Sequence, residues 1–398
     1  MKWVATLAAA AGMVAIALSV ISVDAGREAI VPSTSAMSLP TAPPTVDGGL
    51  QTQFPGWDFR SSDIEPRQGV SYAVSDNLFF GWGGAPSGID DPRNDGFLIE
   101  LDTFKNESVA PAPLLPRSSA ASVWTGSEFI VFGGHSGEES FVDGASYNPV
   151  TAEWTVIAAA PISPAAYPAA VWTGREMLVW VSDENTRFPD LPNPGPGQVA
   201  AYNPTSDHWR TLDSPPIAII DGVLLADGNL VTLVGGPMMR DVGTAAANAR
   251  LYSVTLDVEA ATWGEPVDSG SPFTGFARAV LGPGSQITVF TSPSIYAIKE
   301  RRWIAIGRVH NCPEELAVTS GGGVVYVKGL LDYSQPSGCT AKIFEGSLDG
   351  ITQILEWNAY GRAGDSYSSA FLATDDGRLV TFGLEGISGR SVVGVYDQ

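Results

Sequence analysis

The strongest regularity in the chain is a recurring pair of short apolar runs split by a polar turn. SVWTGSEFIVFGG (122–134) and AVWTGREMLVWVS (170–182) share this plan, with Trp124 and Trp172 at matching places. Looser copies are SYAVSDNLFFGWGG (71–84), GVLLADGNLVTLVGG (222–236), RAVLGPGSQITVF (278–290), LAVTSGGGVVYVKG (316–329) and SAFLATDDGRLVTFG (369–383). Apolar runs this short, bounded by Gly, Asp and Asn, read as antiparallel hairpins. The pattern predicts seven of them.

A third strand with a tyrosine, phenylalanine or aliphatic centre follows most hairpins, as in GASYNPVTAEW (144–154) and GQVAAYNPTSDHW (197–209). A tryptophan then opens a fourth strand: Trp154, Trp209, Trp263, Trp303 and Trp357, at intervals of about 40 to 55 residues. Asn-Pro and the Ser, Thr and Asp residues after it suit the tight turn between strands three and four. The seventh hairpin is followed by SVVGVYDQ, where the chain ends without its tryptophan strand. GWDFRSS (56–62), ahead of the first hairpin, supplies one through Trp57. The expectation is that this strand completes the last unit and ties the ends together.

A twisted four-stranded sheet with two apolar faces cannot bury them alone, but a closed ring of such sheets can. Repeats of about 50 residues from position 51 to 398 therefore predict an all-β fold, a seven-bladed β-propeller whose last blade is closed by the N-terminal strand. The Gly83-Gly84, Gly133-Gly134 and Gly235-Gly236 pairs, Tyr147, Tyr202 and Tyr252, and the spaced tryptophans resemble kelch-repeat and galactose-oxidase-central-domain-like propellers. The resemblance covers roughly 57–398 and is closest over LPRSSAASVWTGSEFIVFGG (115–134); it weakens in the fifth and sixth units.

The resemblance implies a binding face made by the loops between strands two and three, such as 85–95, 135–143, 183–197, 237–248, 330–340 and 384–390, together with the links between blades. Arg67 and Arg117 stand 16 residues before Gly83 and Gly133, at equivalent places on neighbouring blades. Arg93, His135, Arg187, Arg240, Tyr333 and Arg390 fall in the same-face loops. Clustered arginines near the mouth could clamp a carboxylate or sulfate; alternatively they pair with local carboxylates and carbonyls as structural ties. Phe54, Trp82, Phe141, Phe188 and Tyr333 could stack on sugars or fill partner pockets. Asp90, Asp91 and Asp95 in GIDDPRND offer oxygen ligands for Ca²⁺, though the spacing is not that of an EF-hand and a solvated acidic loop explains it equally. No metal or other cofactor is expected.

Composition narrows the function classes. The chain has 398 residues, 22 Lys+Arg against 43 Asp+Glu and a net charge of −21. That excludes a phosphate-binding basic surface, so no nucleic-acid partner is expected. Three histidines spread over distant units do not suggest a paired-histidine copper site, and a single Asp-Gly turn pattern at 346–357 does not make a sialidase repeat. No nucleophile elbow, phosphate loop or CxxC pair occurs.

Residues 3–23 form an uninterrupted apolar run after Lys2. They read as a helix that is either a signal peptide, within 1–25, or a membrane anchor. Residues 26–50 are Pro/Ser/Thr-rich and read as a linker, and 51–398 is the propeller. The expected location is extracytoplasmic, secreted or anchored by 3–23, with membrane contact through that segment only. Cys312 and Cys339, an even count on one face of the sixth unit in an exported chain, are expected to form a disulfide. The functional expectation is a monomer that binds carbohydrate or protein through the loop face without catalysis. The alternative is a glycan-acting hydrolase or lyase with an axial Tyr, carboxylate and Arg site.

Overall fold

The computed structural model describes residues 57–86, 91–182, 195–219, 221–236, 250–272, 277–282, 285–291, 294–308, 315–318, 324–328, 340–347, 350–358, 370–374, 378–384 and 391–396. All belong to the compact unit Pro44–Gln398. The signal or anchor segment and the linker lie outside the described residues. So do Asp90, Arg187, Arg240, Cys312, Tyr333, Cys339 and Arg390. Among the described residues no helix is long and apolar enough to cross a membrane.

The described elements are all strands, and each predicted hairpin is found. The first sheet runs Ser71–Val74, Leu78–Trp82, Gly96–Glu100, Asn106–Val109. The second runs Ala121–Trp124, Phe129–Phe132, Gly144–Asn148, Glu153–Ile157, and the third Ala169–Trp172, Met177–Val181, Gln198–Asn203, His208–Leu212. The fourth is Asp221–Asp227, Leu230–Gly236, Arg250–Asp257 and Thr262–Trp263, with Val267–Pro272 also paired to its third strand. The fifth is Arg278–Leu281, Ile287–Thr291, Ser294–Lys299, Arg302–Arg308. The sixth is Glu315–Val318, Val324–Lys328, Thr340–Ser347, Gly350–Asn358.

The last sheet holds Ala370–Ala373, Leu379–Leu384 and Ser391–Tyr396, and its outer strand is Trp57–Ser62. That strand runs antiparallel to the chain's last strand from Trp57↔Tyr396 to Ser62↔Ser391, as the missing tryptophan strand required. The first strands of successive sheets touch in chain order, and Ala370–Ala373 touches Ser71–Val74, so the row returns on itself. The architecture is a β-propeller.

Apolar clusters fill the spaces between consecutive sheets. Phe80, Trp82 and Leu98 of the first sheet meet Phe129, Val131 and Tyr147 of the second. Ile130 and Phe132 meet Met177, Val179 and Trp209 of the third, and Leu178 and Trp180 meet Val231, Leu233 and Leu256 of the fourth. The closing space is filled by Phe382, Val393 and Val395 against Phe79 and Phe97. Burial of this kind contributes about 25 cal/mol for each Å² of apolar surface removed from water.

The tryptophan series has a second role. The indole N–H of Trp154 donates to the carbonyl of Ala110 (2.9 Å), Trp209 to Ala158 (2.6 Å), Trp263 to Asp213 (2.7 Å) and Trp303 to Val267 (3.2 Å). Each acceptor lies on the preceding sheet, in or just after its outer strands. Every such ring therefore packs within its own sheet and ties it to the sheet before. Tyr202 adds a further tie: its hydroxyl donates to Asp207 (2.8 Å), which also accepts the Ala158 N–H (2.8 Å). Burial, and then the hydrogen bond to Asp207, push the Tyr202 phenol above its ordinary value of 10.0.

Two outcomes follow. A chain beginning at Asp63 loses the closing strand and exposes the edge of Ser391–Tyr396; calorimetry should show a lower melting temperature and size-exclusion chromatography should show association through that edge. The folded state of Tyr202 prefers the protonated phenol, so its contribution is complete below pH 10 and fades as pH rises through the higher folded value. Tyr202→Phe should thus flatten the alkaline fall in denaturation midpoint above pH 10, read by urea titration across pH 8 to 12.

Candidate ligand-binding face

The face that carries the strand two-to-three loops is best described at the first three sheets. Its framework begins with glycine. Gly83, Gly84, Gly133 and Gly134 have φ of 71°, 77°, 66° and 86°, a conformation that costs other residues strain. A β-carbon on Gly84 would lie 2.7 Å from the Gln68 carbonyl, and one on Gly134 2.6 Å from that of Ser118. Bare backbone there lets the incoming segments lie close, forming the bridges Gln68↔Ala85 and Ser118↔His135.

The arginines expected as ligand clamps close this framework. Arg117 is completely buried. Its Nε donates to Leu115 O (2.9 Å) and its Nη1 to Gly133 O (3.2 Å), while Nη1 and Nη2 grip Asp143 (2.6 and 3.2 Å). The guanidinium stacks 3.9 Å from the centre of the Phe141 ring. Arg67 repeats the plan one sheet earlier: its Nη1 donates to Asp95 Oδ1 (2.7 Å), Asp95 O (3.3 Å) and Gly83 O (3.3 Å), and its Nε faces Glu65 at 3.4 Å. Each arginine thus staples the end of strand two to the aspartate that opens strand three. This corrects the clamp expectation for these two: they are structural ties, and Arg117 lies out of a ligand's reach.

The third sheet omits the device on both sides. Where the first two have Pro66-Arg67 and Pro116-Arg117, it has Pro164-Ala165, and Gly197 stands where Asp95 and Asp143 precede strand three. Ala165 is buried in the apolar cluster between the second and third sheets. Losing the cation and the anion together avoids stranding either charge.

The other candidates sort clearly. Arg93 is 38% exposed and leans on Asp91 (3.3 Å) and Glu65 (3.9 Å). Asp91 and Asp95 therefore serve arginines, and no cluster of metal-ligating side chains occurs among the described residues. His135 is buried, with its ring centre 5.1 Å from that of Tyr167, which is 44% exposed. Trp82 and Phe141, expected as surface stacking rings, are buried instead: Trp82 donates to Asn94 O (2.9 Å) and Phe141 carries Arg117. A Tyr–carboxylate pair does occur, in Tyr202–Asp207, but it belongs to the strand three-to-four turn on the opposite rim. There it locks a phenol in its neutral form, the reverse of an activated nucleophile.

What the residue pattern left unread were the partners. Asp95-Gly96 and Asp143-Gly144 lie 28 and 26 residues after the arginines, and that pairing of Pro-Arg with Asp-Gly was a usable signal. Asn94 was also passed over; its amide donates to Ala112 O (3.3 Å) and Leu114 O (3.1 Å), pinning the link to the second sheet.

No protein-family profile matches the chain, and no curated protein matches it. Solved structures do. One, described as the structure of YjhT, superposes with a TM-score of 0.52 at 12% identity, covering 74% of this chain and 99% of that one. At that identity the likeness is one of fold.

The Arg117 clasp generates a stability prediction. Asp143→Ala leaves a fully buried guanidinium without its anion and should cost about 3 kcal/mol, measured by urea unfolding. Arg117→Ala leaves only the half-exposed Asp143, which water can solvate, and should cost less of the electrostatic part.

Proposed function

We propose that the chain is an exported, kelch-like, seven-bladed propeller that binds carbohydrate through its loop face without catalysis. Tyr167 is the observation that carries this reading. An exposed aromatic ring packed at a tilt of 48° against a buried histidine, on a face knitted rigid by glycine bridges and arginine clasps, is a preformed stacking platform for a sugar ring. Arg93, 38% exposed, stands in a loop of the same face. Carbohydrate hydroxyls suit such a site better than a strongly anionic ligand, because Arg67 and Arg117 are already neutralised. Arg187, Arg240, Tyr333 and Arg390 belong to the same loops in sequence and would extend the surface. The apolar segment 3–23 would deliver the chain across the membrane or hold it there, and Cys312 and Cys339 would be joined in that oxidising compartment.

The test is a glycan array with the full chain, followed by calorimetry on the hits. Tyr167→Ala should weaken binding about tenfold or more with an unchanged melting temperature. Retention of full affinity in Tyr167→Ala would place recognition elsewhere, and an array without hits together with capture of a protein ligand would replace sugar by protein. Non-reducing peptide mapping reads the Cys312–Cys339 bond directly.

A further inference from the structure

The motif repeated most closely in the chain, WTGSEF at 124–129 and WTGREM at 172–177, has a part that the fold does not use up. Its threonine and glutamate close the turn between strands one and two. Thr125 Oγ1 donates to Glu128 O and Thr173 Oγ1 to Glu176 O, both at 3.0 Å, and each accepts the N–H of the same glutamate (3.0 and 3.1 Å). The tryptophan is the last residue of the inner strand, paired with Phe129 in the second sheet and with Met177 in the third. Val74, Leu281 and Ala373 hold that place in the first, fifth and last sheets, so the turn itself does not require an indole.

Six other tryptophans, Trp82, Trp154, Trp180, Trp209, Trp263 and Trp303, each donate the indole N–H to a main-chain carbonyl at 2.6 to 3.4 Å. Trp124 and Trp172 do not. Neither indole has a hydrogen-bond partner among the described residues, and neither nitrogen is buried. Both rings are partly exposed. Packing fixes the rest of each ring: Trp124 lies against Phe129 with ring centres 4.4 Å apart, and Trp172 against the apolar cluster between the second and third sheets. A ring held by packing and open at its N–H edge is a preformed donor on an apolar bed. The inner strands Ala121–Trp124 and Ala169–Trp172 touch, so the two open edges stand side by side around the axis, on the rim opposite Tyr167. Stacked sheets lie about 10 Å apart, and equivalent residues on neighbouring sheets keep roughly that spacing, the span of two linked sugar rings. Arg175, exposed in the turn that follows Trp172, makes no hydrogen bond or ion pair among the described residues and adds further donors.

We propose that this mouth binds a neutral oligosaccharide, two linked pyranose rings lying across Trp124 and Trp172, with the indole N–H groups and Arg175 donating to ring and hydroxyl oxygens. A neutral chain fits better than a polyanionic one, because the net charge of −21 repels the latter. The site does not rest on the Tyr167 reading, and either can fail alone.

Titration calorimetry on the full chain with cellobiose, maltose and N,N′-diacetylchitobiose, each beside its own monosaccharide, tests it. At least one disaccharide should bind about tenfold or more tightly than its monosaccharide, since the second ring meets the second indole. Trp124→Phe and Trp172→Phe keep an aromatic ring in the packing and remove the donor. Each should weaken that binding about two- to tenfold with little change in melting temperature, because no bond within the chain is lost. Tyr167→Ala should leave it unchanged. Should a phenylalanine variant melt low, the unmutated chain with nitrogen-labelled indoles decides: the Trp124 and Trp172 N–H signals should shift on titration while that of carbonyl-bound Trp209 stays. No disaccharide binding at millimolar concentration, equal binding of the monosaccharides, unshifted Trp124 and Trp172 signals, or binding at full strength in both phenylalanine variants would overturn the assignment. Disaccharide binding lost in Tyr167→Ala and kept in both phenylalanine variants would overturn it while leaving the loop-face reading in place.

Discussion

The pairing of Trp57–Ser62 with Ser391–Tyr396 is the constraint on which the rest depends. A row of twisted sheets in water has two terminal faces, and each would expose a full layer of side chains. Here the chain's first described strand is the outer strand of its last sheet, so both terminal faces meet. Phe79, Phe97, Phe382, Val393 and Val395 become a core only through that meeting. Arg378 reinforces it, reaching Asp102 (2.7 Å) and the Asp76 carbonyl of the first sheet. Because no sheet can bury both faces without two neighbours, closure makes stability a property of the whole ring.

The ring was legible in the sequence because its signals are local. Paired apolar runs split by polar turns set the hairpins, Gly-Gly ended several second strands, and the missing tryptophan after SVVGVYDQ pointed back to Trp57. The destinations of side chains were not local and were misread. Trp82 and Phe141 stand in or beside loops, yet both are buried, Trp82 bonded to the Asn94 carbonyl and Phe141 packed under Arg117. Arg67 and Arg117 were placed correctly at equivalent positions, but their consumption by Asp95 and Asp143 depends on how a loop of about ten residues returns to its sheet.

The use of arginine inside the framework shapes what the surface can do. In a chain of net charge −21, cations that face inward leave the exterior more acidic still. Arg117 is spent on Asp143 and two backbone carbonyls, and Arg67 on Asp95, Gly83 and Glu65. Among the described residues, these two arginines therefore add no free positive charge to the loop face.

Two kinds of tie therefore hold neighbouring segments together. On the loop face the sheets are stapled by glycine bridges and arginine, and Tyr167 stands on a bed that cannot yield. The sheets are also tied by indole N–H bonds spaced one sheet apart, with Trp263 of the fourth sheet bonded to Asp213 of the third and Trp303 of the fifth to Val267 of the fourth. Between the fourth and fifth sheets that bond acts together with the apolar packing of Val234, Leu251, Ile287, Val289 and Ile298, so the spacing of neighbouring sheets is set both by burial within the gap and by a directional bond from the outer strand.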